Sequence, residues 1–260
     1  MVNYDKLRRK KEKVESNVKL LENEIEELKK KNQILEELKH DIGRFSSEAL
    51  SFCEDLNILI QYDKGKQRIE DAAVTLFHSI SMIASRMLYS DMELNCGQIG
   101  SAARFQSGVY KKFDKANKIL KQQARKKKII VSFVNNSSYV IDAQSSFDMI
   151  PFILLENAIK YSPNNGEVTV LFDEVNKGDR RSLEVTVSSV GPFIDCESIK
   201  KVTDRGFRGG SNINVSGQGL GLYIASNIAR FHNIKMEFNS IYKCVLDGFK
   251  MGEFSVKLRF

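Results

Sequence analysis

The chain has 260 residues, 42% hydrophobic and 28% charged, with a net charge of +7, values of an ordinary soluble protein of one or two domains. Its longest apolar run, Met149–Leu155, is far short of the roughly 20 residues of a membrane span, and the basic start Lys6–Lys13 is not followed by the apolar segment of a secretory leader. Four scattered cysteines (Cys53, Cys96, Cys196, Cys244) without a CxxC pair, and three histidines (His40, His78, His232), argue against a metal centre or disulfide framework and suit reduced thiols in the cytoplasm.

From Leu7 the apolar positions step by seven, then by four and three, through Val14, Val18, Leu21, Ile25, Leu28 and Leu35, with Lys11 and Asn32 as polar exceptions. This heptad seam predicts a coiled coil over residues 1–37, and a lone seam Asn favours a register-fixed parallel dimer. After Leu35 the spacing slips by three, and a new seam runs through Leu38, Ile42, Phe45, Ala49, Phe52, Leu56 and Leu59. Gly65, in Tyr62–Gly65, suits a C-terminal cap. A second stripe follows at Ile69, Ala73, Leu76, Ile80, Ile83 and Met87. Residues 38–98 therefore read as a helical hairpin, which covers its stripes by pairing with a second copy into a dimeric four-helix bundle. The glycine-containing stretch Cys96–Ser101 reads as a linker.

Residues 104–260 change in character. Lys111–Lys128 holds nine basic residues against Asp114, a net +8, so the rest of the chain sums to −1. Phe113, Ala116, Ile119, Leu120 and Ala124 give this helix an apolar side, so the charge reads as its solvated face or as a docking surface for an acidic protein; the aromatic interleaving of a nucleic-acid site is missing. Beyond it, Ile129–Val134 and Tyr139–Ile141 read as strands. A helix follows with Phe147, Ile150, Leu154, Ala158 and Tyr161. Alternation at Val168–Val170–Phe172, at Leu183–Val185–Val187 and at Phe254–Val256–Leu258–Phe260 predicts three further strands, and a helix begins near Leu220. Strands that look antiparallel, without strict βαβ repetition, make this a two-layer α/β sandwich and the whole chain α+β.

Three segments can carry chemistry. In Ser216–Leu222, glycines at 217, 219 and 221 let the backbone approach a phosphate, and the helix that follows directs free N–H groups at it. The loop is neither a Walker A motif nor a dinucleotide fingerprint. In Leu154–Pro163, Asn157, Lys160 and Tyr161 share one helical face. They offer an amide oxygen to a hard cation, an ammonium to phosphate and a ring to a base; a plain polar helix face is the alternative. Magnesium takes few protein ligands beside phosphate oxygens and water, so one Asn can suffice. In Leu38–Ile42, His40 falls on the solvent side of the seam with Asp41 adjacent, an arrangement open to an imidazole nucleophile with a carboxylate to orient it, although a histidine so placed is on its own usually just a surface residue. His78 is the rival acceptor without an adjacent acid, and His232 reads as structural.

In this order and spacing the three segments resemble the transmitter core of a two-component sensor histidine kinase, over roughly Leu38–Phe260, and the coiled coil before them is similar to the signalling linker of such kinases. Lys39–Ile42 matches the H-box, Glu156–Ser162 the N-box, and Gly217–Leu222 the second glycine box. The resemblance implies a homodimer, a Bergerat-type ATP-binding domain, autophosphorylation of His40 aided by Asp41, and transfer to a response-regulator aspartate in cytoplasmic signal transduction. The chain is then a soluble kinase or the cytoplasmic part of a longer membrane-anchored sensor. It further implies that Asn157 holds Mg²⁺, Lys160 contacts phosphate and Tyr161 borders adenine. Gly217, Gly219, Leu220 and Gly221 line the phosphates of ATP, and Lys200–Ser216 is a lid from which Arg208 reaches the γ-phosphate.

The first glycine box departs from the family. Ser189 stands where an adenine-reading Asp or Asn belongs, two residues before Gly191, and Phe193 replaces the second Gly. Loss of a charge-assisted bond costs about 1.5–3 kcal/mol, roughly 10- to 150-fold in affinity. Ile153 replaces the first N-box Asn, the proline common after the H-box is missing, and Arg44 occupies a position that is Thr or Asn where phosphatase activity occurs. A histidine kinase is the leading expectation and a non-catalytic dimeric scaffold with a degenerate ATP fold the second. A gyrase- or chaperone-like ATPase comes last, because Ile153 cannot activate water.

Overall fold

The computed structural model describes residues 4–61, the helical positions 69, 72, 73, 76, 80, 83 and 87, and residues 103–177, 180–209, 219–246 and 248–260. Helix α1 (Tyr4–Gln61) runs uninterrupted across the slip between Leu35 and Leu38. Exposed i,i+4 pairs such as Arg8–Glu12 and Lys31–Glu27 line its outside. Each adds a few tenths of a kcal/mol, about 0.2–0.5 in isolated helices. The seam residues Val14, Val18, Leu21, Ile25, Leu28 and Leu35 are all exposed. All six residues of the second stripe are helical, whereas the turn at Tyr62–Gly65, His78, Cys96 and the linker lie outside the described residues.

The rest is a two-layer domain. Strand β1 (Phe105–Gly108) leads into helix α2 (Val109–Lys126), then β2 (Ile130–Val134), β3 (Val140–Ala143) and helix α3 (Met149–Tyr161). Strands β4 (Glu167–Lys177) and β5 (Arg180–Pro192) precede helix α4 (Gly221–Phe231), and β6 (Lys235–Leu246) and β7 (Phe249–Arg259) close the chain. The main sheet has the order β2-β4-β5-β7-β6, and β1 pairs with β3 in a small second sheet. One pairing differs from the expectation of antiparallel strands: β2 lies parallel to β4, from Ile130 opposite Glu167 to Val134 opposite Leu171. The intervening α3 supplies the crossover that a parallel pair requires.

Period-2 alternation decides which sheet face is covered. Val168, Val170 and Phe172 of β4, Leu183, Val185 and Val187 of β5, and Val256 and Leu258 of β7 are buried under α2, α3 and α4. Every apolar residue expected on the inner side of α2 is buried there. Phe113 packs edge-on against Phe172 at 5.6 Å, and Tyr110 edge-on against Phe133 at 5.6 Å. Each large side chain buried in this way contributes about 1.5–3 kcal/mol. The other sheet face is polar: Glu184 accepts from Lys257 Nζ at 2.9 Å and Arg259 Nε at 2.7 Å. The Lys257 bond, foremost, holds the Glu184 carboxyl below its ordinary range.

Candidate functional site

The site is a cleft between α3, the end of β5, the 199–209 segment and the start of α4. Helix α3 is apolar almost all round, and the residues from Met149 to Leu155 are buried. Its polar residues therefore gather in the last two turns, where Asn157, Lys160 and Tyr161 all face the cleft. Lys160 Nζ lies 5.3 Å from the centre of the Tyr161 ring, an attractive cation–π arrangement. Burial pushes the Tyr161 hydroxyl above its ordinary pKa, which Arg208 opposes and Glu156 reinforces.

Both ends of α3 are braced from the basic run. At the N-terminal end, buried Asp148 forms an ion pair with Lys112 Nζ at 2.6 Å and accepts from Lys115 Nζ at 2.7 Å. At the C-terminal end, Lys127 Nζ donates to the carbonyls of Ile159 and Lys160 at 2.9 Å each, and to that of Ser162. A carboxylate at the start and an ammonium at the end both suit the helix dipole. Desolvation lowers the Lys127 pKa. The basic run is thus more than a solvated face, because three of its lysines set the helix that presents Asn157.

Ser189 and Gly191 line the opposite wall. Ser189 is buried, paired across the sheet with Val168 and Phe254. A Cβ on Gly191 would stand 3.2 Å from the Tyr161 carbonyl, so glycine permits the end of α3 to close on β5. Phe193, which replaces a family glycine, does not line the cleft. Its ring sits edge-on to Tyr242 at 5.7 Å, and a Cβ on Gly252 would lie 2.9 Å from it. The bulk added at 193 is accommodated by the missing side chain at 252, outside the cleft.

The glycine loop is described from Gly219 onward; Gly217 lies outside the described residues. Gly219 has φ +72°, and a Cβ there would come within 2.5 Å of the Phe207 carbonyl, so only glycine fits. Leu220 precedes α4 and lines the cleft, and Gly221 opens the helix. A Cβ at Gly221 would meet Ile153 at 3.2 Å and the Asn157 amide at 3.5 Å. The N-terminal N–H groups of α4 and the Asn157 side chain therefore converge on one space, as a phosphate-bearing ligand requires. Among the described residues no group of three His, Cys, Asp or Glu could hold a metal. The Asn157 amide oxygen, completed by phosphate oxygens and water, would suit magnesium.

Two further predicted residues reach this space. Arg208 lines it from the 199–209 segment, and so does His40 of α1, 117 residues before Asn157 in sequence. The Asp41 side chain lies outside the described residues. His232 is structural: Nε2 accepts from the Gln144 N–H at 3.1 Å while Nδ1 meets the Ile228 carbonyl at 2.9 Å, which fixes a neutral ring whose pKa is lowered by burial. Sequence reasoning missed Arg205 and Glu37, whose side chains join α1 to the 199–209 segment. Their separation of 168 residues leaves no periodic signal.

Residues 145–257 match the family model described as Histidine kinase-, DNA gyrase B-, and HSP90-like ATPase. The histidine protein kinase SaeS of Staphylococcus aureus strain USA300 is 29% identical over 112 residues, which are 42% of this chain and 31% of that protein. SaeS of strain bovine RF122 / ET3-1 is 30% identical over 112 residues, with the same coverage. The chain thus spans 31% of the length of these curated relatives. Among solved structures, the mycobacterial sensor histidine kinase MprB aligns with a TM-score of 0.46 at 20% identity, covering 60% of this chain and 98% of that one. The cytoplasmic segment of the histidine kinase QseC aligns with a TM-score of 0.46 at 18% identity, covering 68% and 92%. No helix among the described residues is long and apolar enough to cross a membrane. The family match covers the cleft residues from Asn157 to Gly221, so this part of the chain is similar to the ATPase domain shared by histidine kinases, DNA gyrase B and HSP90, and its curated relatives over 112 residues are histidine protein kinases.

Proposed function

We propose that the chain is the transmitter core of an ATP-dependent protein histidine kinase, acting in the cytoplasm as a homodimer joined through α1 and the following hairpin. The single observation that carries this reading is that His40 lines the same cleft as Asn157, Arg208 and the Gly219–Gly221 turn. Asn157 holds Mg²⁺ against the phosphates of ATP, Lys160 and Arg208 contact phosphate, and the Gly217–Gly221 backbone cradles it. Tyr161 borders the adenine, and Ser189 and Gly191 form the wall it rests on. Bound Mg²⁺ supplies neutralisation of the phosphate charge. An imidazole nitrogen of His40 attacks the γ-phosphorus; the P–N bond forms as the bond to the bridging oxygen of ADP breaks, and Asp41 takes the ring proton. The phosphoryl group then passes from His40 to an aspartate of a response regulator docked on the bundle. Kinase activity accounts for the cleft better than a scaffold does, because Phe193, one of the departures that motivates a degenerate fold, packs outside it.

The test is incubation with γ-³²P-ATP and Mg²⁺. The expected label is stable to alkali, labile to acid, lost in His40→Gln and retained in His78→Gln. Label on His78 overturns the assignment of His40, and failure to bind Mg²⁺-ATP in calorimetry at millimolar nucleotide returns the scaffold reading.

A further inference from the structure

Along the described part of α1 only Ile34, Glu37 and Ala49 are buried. A carboxylate in that company needs a reason, since a buried charge is costly unless it is paired. Arg205 supplies the partner with a two-pronged grip: Nε donates to Glu37 Oε1 at 3.2 Å and Nη2 to Oε2 at 2.6 Å. The Gln33 amide adds a third bond to Oε1 at 3.1 Å. The guanidinium also lies 5.4 Å from the centre of the Tyr223 ring in the first turn of α4. Arg205 is thus set between α1 and the helix that follows the glycine loop.

The position of Arg205 is coupled to the cleft through the backbone. Gly206 and Phe207 follow it directly, and the Gly219 turn packs on their carbonyl groups so closely that no side chain fits between. Phe207 and Arg208 then enter the cleft wall. On α1, Glu37 and His40 are three residues apart and share a face. Whatever fixes Glu37 on Arg205 therefore also fixes where His40 stands relative to Arg208 and the glycine turn.

We propose that Glu37 and Arg205 form a clamp that holds the nucleotide domain against the acceptor helix with His40 at the cleft, a pair of positioning residues for phosphoryl transfer. This deepens the kinase reading above and rests on it. The pair touches neither nucleotide nor acceptor ring in its role; it acts through the placement of α1. Bidentate geometry gives orientation as well as attraction, so a lysine at 205 does not substitute.

The experiment compares the full chain with Glu37→Gln, Glu37→Arg, Arg205→Glu and the exchanged pair Glu37→Arg/Arg205→Glu, with Glu36→Gln as the exposed neighbour control. The rate of His40 labelling at saturating Mg²⁺-ATP should fall about 10- to 100-fold in each single variant at 37 or 205. Nucleotide affinity should stay within about twofold in Glu37→Gln, and the exchanged pair should recover most of the rate. Hydrogen exchange across 199–209 should quicken in Glu37→Gln without nucleotide present. Labelling equal to or faster than wild type in Glu37→Gln overturns the clamp, the faster case showing a restraining contact instead. Unchanged exchange across 199–209 overturns the contact itself. A wild-type chain that binds nucleotide but never labels His40 overturns the kinase reading, and with it the clamp's role in transfer.

Discussion

Helix α1 and the two-layer domain use the same device, a periodic apolar stripe, with opposite results. In α2 the stripe Phe113, Ala116, Ile119, Leu120, Ala124 is filled by the sheet, and all five residues are buried. In α1 the seam from Val14 to Leu35 is left uncovered by the described residues, and Leu28 is 59% exposed. The difference lies in the neighbours rather than in the stripe. The domain has an internal partner for each helix, whereas α1 has a pattern that only another helix can complete. In the proposed dimer the stability of the domain is a property of one chain, and that of α1 a property of chain concentration.

Substitutions can separate the two. The largest effect is expected for Phe113→Ala, which empties a fully buried site beside Phe172 and should cost the domain about 3–5 kcal/mol, read as a lower melting temperature, while self-association through α1 persists in sedimentation. Leu28→Glu should do the reverse. By removing one seam leucine it should weaken the dimer by about 2–3 kcal/mol and leave the domain's melting unchanged; a dimer that survives at micromolar concentration would break the comparison. Gly219→Ala, whose Cβ would meet the Phe207 carbonyl, should displace the turn, reduce nucleotide affinity about tenfold and, through roughly 1–2 kcal/mol of strain at a positive φ, lower the melting temperature by a few degrees.

The smallest expected effect is on pH dependence. The His232 pKa is lowered in the folded domain from its ordinary 6.5, so the unfolded chain takes up the proton first as pH falls. The stability linked to this ring is complete above about pH 6.5 and is lost as pH drops toward the depressed value. Thermal melts between pH 7.5 and 5.5 should decline less steeply in His232→Gln than in the wild type; equal slopes would remove this histidine from the acid response.

Much of the domain was legible because local periodicity carries it. The buried face of α2, the polar end of α3 and the alternation in β4, β5 and β7 all follow from spacing. Strand β6 escaped because the bulge between Tyr242 and Cys244 shifts the parity of its apolar residues, and β1 is only four residues long. The parallel pairing of β2 with β4 is not written in either strand, since period 2 is the same in both directions. Phe193 stood out as a departure from the first glycine box. Its direction depends on where β5 ends, at Pro192, and on space left by Gly252 some sixty residues later. The Asn157 and Gly219–Gly221 segments were readable as chemistry; the contacts around them, Lys112 and Lys115 with Asp148, Lys127 with the carbonyls ending α3, and Glu37 with Arg205, were not, because long-range polar pairing leaves no pattern in sequence.

The parallel β2–β4 ladder has a consequence for how the domain assembles. β4 with β5 and β6 with β7 are hairpins that close short loops, whereas β2 and β4 are separated in the chain by β3 and the whole of α3. Late closure of long loops is the slow part of folding for such topologies. The α2–β2 unit is thus held to the sheet edge by a long-range contact, as β5 is to β7, and it carries the lysines that brace α3. Shortening a side chain on the edge strand itself, as in Val131→Ala opposite Val168, should accelerate unfolding more than it slows folding, so that the shape of the nucleotide cleft rests on a strand pairing that lies outside it.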